Sequence, residues 1–130
     1  MSYYFSKILS TGFNNAVDVT IEALKNEGFG IITEIDIKTT FKNKLDVDFR
    51  NYRILGACSP KHAFAAISHE DKIGLMLPCN VIVQELEDGQ CEVAAIDPIA
   101  SMMAVENENL GGVASEVQAK LKKAIVSIKS

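Results

Sequence analysis

Residues 74–96, GLMLPCNVIVQELEDGQCEVAAI, decide the fold because they contain two β-like runs joined by a turn signal. Gly74 to Glu85 is the longest β-like run of the chain. The tripeptide Glu87-Asp88-Gly89 is typical of a hairpin turn, and Cys91 to Ile96 returns as the last strand. This stretch therefore predicts an antiparallel hairpin that supplies the final two strands of a sheet.

The N-terminal part predicts a strand, a helix and a second strand. Tyr3, Phe5 and Ile8 with interleaved serines form the first strand candidate, although the alternation slips near Lys7. A helix is expected over about residues 12–27, since apolar residues recur there at helical spacing. They are Phe13, Val17, Ile21 and Leu24. Gly28 is placed to adopt the left-handed conformation that ends this helix, and alternation from Phe29 to Ile37 predicts the second strand.

The remaining segments complete the expected architecture. Residues 39–49 form a short helix or loop, residues 52–58 a third strand, and residues 61–69 a short helix. A last helix is expected over about residues 109–128 from a regular apolar stripe. Its members are Val113, Val117, Leu121, Ile125 and Ile128. We therefore expect a single α+β domain over residues 1–130, with helices packed on one face of an antiparallel sheet.

Five short segments occur in an order and spacing that resemble one known family. They are residues 28–36 (GFGIITEID), 52–58 (YRILGAC), 60–63 (PKHA), 74–81 (GLMLPCNV) and 96–98 (IDP). Together they resemble the domain of unknown function 302 family over nearly the whole chain. The resemblance implies a TATA-binding-protein-like arrangement of strand–helix–four strands–helix, and it implies self-association. Ile32, Ile82 and Ile96, on faces opposite the main apolar rows, separately favour a homodimer. It implies no established activity, and DNA binding does not follow from the fold alone.

Composition and charge limit the partners and the compartment. The formal net charge is −4 and the sequence pI is about 5.1, so the basic surface that nucleic acid requires is missing and we expect no nucleic-acid partner. No run approaches the roughly 18 apolar residues of a membrane span, and the first residues lack the pattern of a signal peptide. We expect no membrane association.

The cysteines point to a reducing environment. The chain has three, an odd number without regular spacing, which is not a disulfide framework and is typical of cytoplasmic proteins. We therefore expect a cytoplasmic location. Cys91 alternates with Val93 and Ala95 and is expected in the core.

The other two cysteines lie beside prolines and form the candidate chemical site. Cys79 follows Pro78, and Cys58 lies shortly before Pro60, where proline interrupts regular strand pairing. A thiol presented there can bind a metal or carry sulfur once its pKa falls. Alternatively, Cys79 packs in the core as a small hydrophobe on the apolar face of its strand. The other members of that face are Leu75, Leu77, Val81 and Val83.

Three polar residues accompany these thiols in the chemical hypothesis. His62 follows Cys58 by four positions and is the natural third ligand, Glu34 can act as base or ligand, and Asn80 can orient a bound group by its amide. Each has a structural alternative: a surface histidine, a strand glutamate paired with Arg53, and an amide satisfying an interrupted strand. Two thiolates alone are an incomplete zinc set, and we predict no metal.

Taken as a whole, the sequence favours a binding protein over an enzyme. It contains no GxGxxG, GxxxxGK[ST], CxxC, HExxH or GxSxG motif and no recognisable nucleophile–base–orienter set. We expect a homodimeric module that binds a small-molecule ligand or a partner. The alternative is a thiol, sulfur-handling or metal-binding protein that acts through Cys79 and Cys58. The residues identify no cofactor and no particular ligand.

Overall fold

The structure, a computed structural model that describes residues 2–129, contains one five-stranded antiparallel sheet. The strands are β1 (Tyr4–Leu9), β2 (Gly30–Asp36), β3 (Tyr52–Cys58), β4 (Cys79–Glu85) and β5 (Cys91–Ile96). The helices are α1 (Phe13–Asn26), α2 (Ile37–Leu45), α3 (Pro60–His69), α4 (Pro98–Ser101) and α5 (Gly111–Ser127). Two 3₁₀ helices cover Asp71–Met76 and Glu108–Leu110. The predicted order of strand, helix, four strands and helix is confirmed, with short helices inserted between.

The strands lie in the order β1-β5-β4-β3-β2, so the first strand pairs with the last. Val81 lies at the centre of the buried face of the sheet. It pairs with Leu55 of β3 on one side and with Ala95 of β5 on the other, and all three side chains are fully buried. Because side chains alternate along a strand, the neighbours of these residues point to the opposite face. The two faces of the sheet therefore differ sharply in burial.

Helices α1 and α5 cover the buried face, as the two apolar stripes predict. Val17 and Leu24 of α1 and Leu121 and Ile125 of α5 are buried in the same core cluster as the strand residues. Burying one such aliphatic side chain contributes about 1.5–3 kcal/mol, so these stripes supply a large share of the stability. Within residues 2–129, none of the helices has the length and apolar character needed to cross a membrane.

The face that α1 and α5 leave uncovered is called here the open face. Its central row runs across four strands through the paired residues Ile35, Ile54, Ile82 and Ala94. Ser6 of β1 ends this row opposite Ala94, and Tyr4 and Ile96 form a neighbouring pair on the same face. Tyr4 and Ile35 are exposed. The sheet thus presents apolar side chains to solvent on one side.

Two predicted turn glycines adopt the left-handed conformation. Gly28 has φ +88° and donates its N–H to Lys25 O at 3.0 Å, while Phe29 N–H donates to Leu24 O at 2.9 Å. This is the Schellman pattern that satisfies the last carbonyls of a helix. Gly89 has φ +85° in the turn between β4 and β5. Both positions confirm the expectation from sequence.

The expectation of one strand from Gly74 to Glu85 is wrong in its first half. Residues Asp71–Met76 form a 3₁₀ helix, and strand pairing begins only at Cys79. Pro78 has no N–H to donate to a neighbouring strand, so the regular ladder starts after it. Leu75 is 85% exposed and does not share the buried face of β4. The segment 39–49, left open between helix and loop, contains α2 as far as Leu45.

Candidate functional site

A pocket of about 240 Å³ lies where β3 ends, β4 begins and helices α3 and α5 approach. We call it the strand-end pocket. Its wall is mainly apolar, and the residues that form it include Phe29, Ala66, Leu77, Met102, Val113 and Val117. The sequence brings these elements together because Pro60 starts α3 directly after β3 and Pro78 lies directly before β4, so both interruptions occur at the same end of the sheet.

Three of the five candidate site residues line this pocket. They are Cys58, Cys79 and His62, contributed by the end of β3, the start of β4 and the first turn of α3. Cys79 pairs with Ala57 across the two strands, which places the two cysteines near each other.

The Cys79 thiol is buried and neutral. Its side chain is 7% exposed, and burial, with a smaller electrostatic effect of the nearby Cys58, raises the pKa of Cys79 to about 11. Because only the thiolate is a strong nucleophile or metal ligand, this thiol is unreactive at neutral pH. Burial also raises the pKa of Cys91, which lies fully buried in the core as expected. Cys58 is half-buried.

No set of metal ligands surrounds the two thiols. Among residues 2–129, no three His, Cys, Asp or Glu side chains are grouped so that they can hold an ion. His62, the natural third ligand in the sequence-based hypothesis, makes both of its ring contacts to other partners. The geometry therefore gives the metal-binding alternative no support.

His62 lies in a hydrogen-bonded chain of three side chains, called here the His62 relay. Its Nδ1 is 2.7 Å from Ser59 Oγ, and its Nε2 is 2.8 Å from Glu116 Oε2. Ser59 precedes α3, while Glu116 lies on α5, so the relay joins two helices. The imidazole is 13% exposed and the Glu116 side chain 69% exposed. A carboxylate only accepts hydrogen bonds, so Nε2–H is the donor to Glu116, and in the neutral imidazole Nδ1 is then the acceptor for the serine hydroxyl.

Glu34 lies away from the pocket, in an ion-pair cluster on the helix-covered face of the sheet. Arg53 Nη1 is 3.1 Å from Glu34 Oε1, and its Nη2 is 3.6 Å from Asp36 Oδ2. The guanidinium carbon also lies 5.5 Å from the Phe13 ring centroid. The hydrogen bond from Thr39 N–H, aided by smaller contributions that include Arg53, lowers the pKa of Asp36. These contacts give Glu34 the structural role that the sequence left open.

Asn80 lies on the opposite side of the sheet from Cys79, because consecutive strand residues alternate. It faces a groove of about 420 Å³ on the open face, whose lining also includes Tyr52, Arg50, Ile82 and Glu92. Arg50 Nε donates to Gln84 Oε1 at 3.0 Å, and Gln84 Nε2 donates to Glu92 Oε1 at 2.9 Å. Asn80 therefore belongs to a different surface from the two thiols.

Two residues of the pocket region were missed from sequence. Ser59 has a local signal, since it precedes Pro60 and stands three positions before His62 at a helix start. Glu116 has none, because it meets His62 only when α5 packs beside α3.

Comparisons with known proteins agree on one family. A family model described as "Domain of unknown function DUF302" matches residues 5–128. The crystal structure of an uncharacterized conserved DUF302 protein from Bacillus stearothermophilus superposes with a TM-score of 0.90. The match covers 99% of this chain and 100% of that chain at 22% sequence identity, which supports the fold. No curated protein matches the chain.

Proposed function

The chain belongs to the DUF302 family, whose description assigns no activity, and we propose that this protein binds a small, mainly apolar molecule in the strand-end pocket. The observation that carries the proposal is the apolar lining of this pocket, interrupted by a few polar groups on one side. Ligand sites in proteins have this composition: an apolar wall supplies affinity, and a few placed polar groups fix orientation.

The size of the strand-end pocket limits the ligand. A cavity of about 150 Å³ lined by aliphatic side chains is large enough for benzene, and this pocket measures about 240 Å³. A molecule of one or two rings, or a short branched alkyl group, therefore fits. The neutral Cys79 thiol adds to the apolar wall. Ser59 Oγ, whose proton goes to His62 Nδ1, keeps lone pairs that can accept a hydrogen bond from the ligand.

The thiol-handling alternative is weaker on this geometry. Cys79 has a raised pKa of about 11, and its thiolate is scarce at neutral pH. Cys58 is half-buried, but it lacks the neighbouring base or cation that activates catalytic cysteines: the His62 ring nitrogens are engaged by Ser59 and Glu116.

Indole is a suitable probe of the binding proposal, because the chain has no tryptophan and indole emission then comes from the ligand alone. We expect saturable binding with a shift of the emission to shorter wavelength. A ligand of about nine non-hydrogen atoms at about 0.5 kcal/mol each gives a Kd on the order of 0.1–1 mM. A linear, unsaturable titration would refute the proposal.

Two alanines of α3 provide a matched pair of variants. Ala63 lines the pocket and Ala65 does not, although both are half-buried on the same helix. Ala63→Leu adds three carbon atoms inside the pocket and should abolish indole binding, whereas Ala65→Leu should leave it unchanged. Equal binding by both variants would place the ligand elsewhere.

We also propose that the open face joins two copies of the chain as a homodimer. The open face measures roughly 24 by 20 Å, because its five strands lie about 4.8 Å apart and each is about six residues long. Two such faces bury on the order of 1,000 Å², the lower bound for a stable dimer. The face is apolar along the Ile54–Ile82 row, and it carries a cation, Arg50, and an anion, Glu92, as self-complementary surfaces require.

Sedimentation equilibrium tests this dimer. We expect twice the chain mass at micromolar concentration. Ile82→Lys should give monomers, because dimer formation would remove water from the lysine ammonium group without giving it a hydrogen-bonding or ionic partner. Glu22→Lys on α1, away from the open face, is the control and should remain dimeric. A wild-type protein that sediments as a monomer at all concentrations contradicts the proposal.

A further inference from the structure

The His62 relay has the composition of a hydrolytic site, and we propose that Ser59, His62 and Glu116 hydrolyse carboxylic esters of small apolar acyl groups. Ser59 is the nucleophile, His62 the general base, and Glu116 the group that positions the imidazole. The inference rests on the proposed function in one respect: the acyl group occupies the strand-end pocket.

Hydrogen-bond geometry assigns these roles. Glu116 accepts from Nε2–H at 2.8 Å, which leaves Nδ1 without a proton. Nδ1 is 2.7 Å from Ser59 Oγ and is therefore the acceptor for the serine proton. Nucleophile, base and orienting carboxylate within hydrogen-bond reach are the arrangement that activates a serine hydroxyl.

The position of the relay fits an ester substrate. Ser59 and His62 line the apolar strand-end pocket, and both also line a neighbouring groove of about 590 Å³. Glu116, Lys61 and Lys120 belong to that second groove. A carbonyl carbon beside Ser59 Oγ thus has apolar space on one side for the acyl group and a polar channel on the other for the alcohol and for water.

The start of α3 supplies donors for the negative charge that develops on the carbonyl oxygen. The first N–H groups of a helix have no intrahelical acceptor, and here they belong to Lys61 and His62, because Pro60 has none. In the described chain, Ser59 is the N-cap residue but makes no side-chain capping bond. Its hydroxyl contacts the imidazole instead, and the two N–H groups remain for an oxyanion.

The reaction balances with water as the second reactant. Ser59 Oγ forms a bond to the carbonyl carbon as its proton passes to His62 Nδ1. The carbon–oxygen bond to the alcohol then breaks, and His62 returns the proton to the leaving oxygen, which yields acylated Ser59. Water attacks the acyl carbon and gives a proton to His62, and Ser59 leaves and takes that proton back. Ester and water become carboxylic acid and alcohol without a redox change.

Hydrolysis of p-nitrophenyl butyrate by the full chain tests the proposal. We expect turnover above the buffer rate and a trapped butyryl adduct that peptide mass spectrometry maps to Ser59. Ser59→Ala should lower kcat/KM about 100-fold, with an unchanged melting temperature as the check on folding. Ser68→Ala on the same helix, whose hydroxyl bonds Phe64 O, is the control and should retain the wild-type rate.

Specific outcomes overturn the inference. A Ser59→Ala variant that hydrolyses the ester at the wild-type rate refutes the nucleophile. A butyryl adduct mapped to Cys58 or Lys61 also refutes Ser59 as the nucleophile, because that residue and not Ser59 then attacks the ester. If Ser59→Ala does not fold, the adduct on the wild-type protein decides alone, and its absence from Ser59 counts against the proposal.

Glu116 is tested as a positioning residue. Glu116→Gln keeps a hydrogen-bond acceptor for Nε2–H but loses the charge that stabilises the imidazolium. We expect kcat to fall about tenfold with KM unchanged, a modest effect because the carboxylate is 69% exposed. Glu116→Asp should restore part of kcat. A rise in KM alone, or no difference between the two variants, argues for a structural contact.

The binding proposal and the catalytic proposal can be refuted independently of each other. Ser59→Ala should still bind indole, though more weakly, because the apolar wall is intact and only one hydrogen-bond partner is lost. Indole binding without any ester hydrolysis refutes the catalytic inference and leaves the binding function standing. Hydrolysis that survives in Ala63→Leu refutes the placement of the acyl group in the strand-end pocket.

Discussion

Gly56 and Pro78 lie in such close contact that residue 56 has no room for a side chain: a Cβ there would stand 2.7 Å from Pro78 Cγ. Thr33 Oγ1 blocks the same space from β2. The glycine thus lets β2, β3 and the residue before β4 approach each other at the rim of the strand-end pocket.

Gly56→Ala should therefore destabilise the protein by about 1–3 kcal/mol, the usual effect of forcing extra atoms into a packed site. Chemical denaturation measures the loss. Gly112→Ala is the matched control, because a Cβ there meets nothing within 4 Å and alanine favours a helix over glycine. Equal stability of Gly56→Ala and the wild type would mean that Thr33 and Pro78 yield without strain.

Replacing Leu121 by alanine should lower the free energy of unfolding by about 2–5 kcal/mol, because this fully buried side chain of α5 leaves a cavity in the core. Val126→Ala, five positions along the same helix and 68% exposed, should change it by less than about 0.5 kcal/mol. Denaturant titrations of both variants provide the comparison, and similar losses would contradict the placement of α5.

Asp36 should give a pH-dependent contribution to stability. It is the N-cap of α2 and accepts from Thr39 N–H at 3.0 Å, so Asp36→Ala should cost about 1 kcal/mol at neutral pH. The pKa of Asp36 is lowered by folding from its ordinary 3.8, so the carboxylate stabilises above that value and the contribution is lost as pH falls through the lowered one.

Stability measured across this range tests the sign. The difference between wild type and Asp36→Ala should be constant above about pH 5 and shrink on further acidification. Asp18→Ala, an exposed position in the middle of α1, should cost less than about 0.5 kcal/mol at neutral pH. A wild-type advantage that grows in acid would contradict the assignment.

Thiol labelling should distinguish the three cysteines. At neutral pH we expect Cys58 to react first, because it is half-buried while Cys79 and Cys91 are buried. Cys58→Ser should remove this first phase.

The pKa of Cys79 is raised to about 11. Its neutral form therefore stabilises the fold below about pH 9, and that contribution is lost as pH rises towards 11. Rapid labelling of Cys79 in native protein would contradict this burial.

Much of the fold is predictable because its signals are local. The stripe containing Val17 and Leu24 gives α1, the stripe containing Leu121 gives α5, and Gly28 marks a helix end, since each depends on residues within a few turns. The run before Cys79 misleads, because a short apolar run such as residues 75–77 has no clear period and fits a strand as well as a 3₁₀ helix. Pro78, which has no N–H, then delays strand pairing until Cys79.

The site is less predictable because it is assembled from distant parts of the chain. Cys58, Cys79 and His62 were singled out by their prolines and spacing, and the fold brings them to one pocket. Asn80 lies elsewhere because it alternates with Cys79 along β4 and faces the open face, and Glu34 lies elsewhere because it pairs with Arg53 of β3. The partner of His62 on α5 has no sequence signal, because the contact spans 54 positions.

The pairing of β1 with β5 also constrains how the protein is made. Tyr4 lies opposite Ile96, so β1 can pair only after β5, the last strand of the described residues, is available. Contacts of such long sequence separation form slowly. The backbone hydrogen-bonding groups of β1 are therefore expected to be satisfied late in folding, and incompletely folded chains expose this strand to other chains.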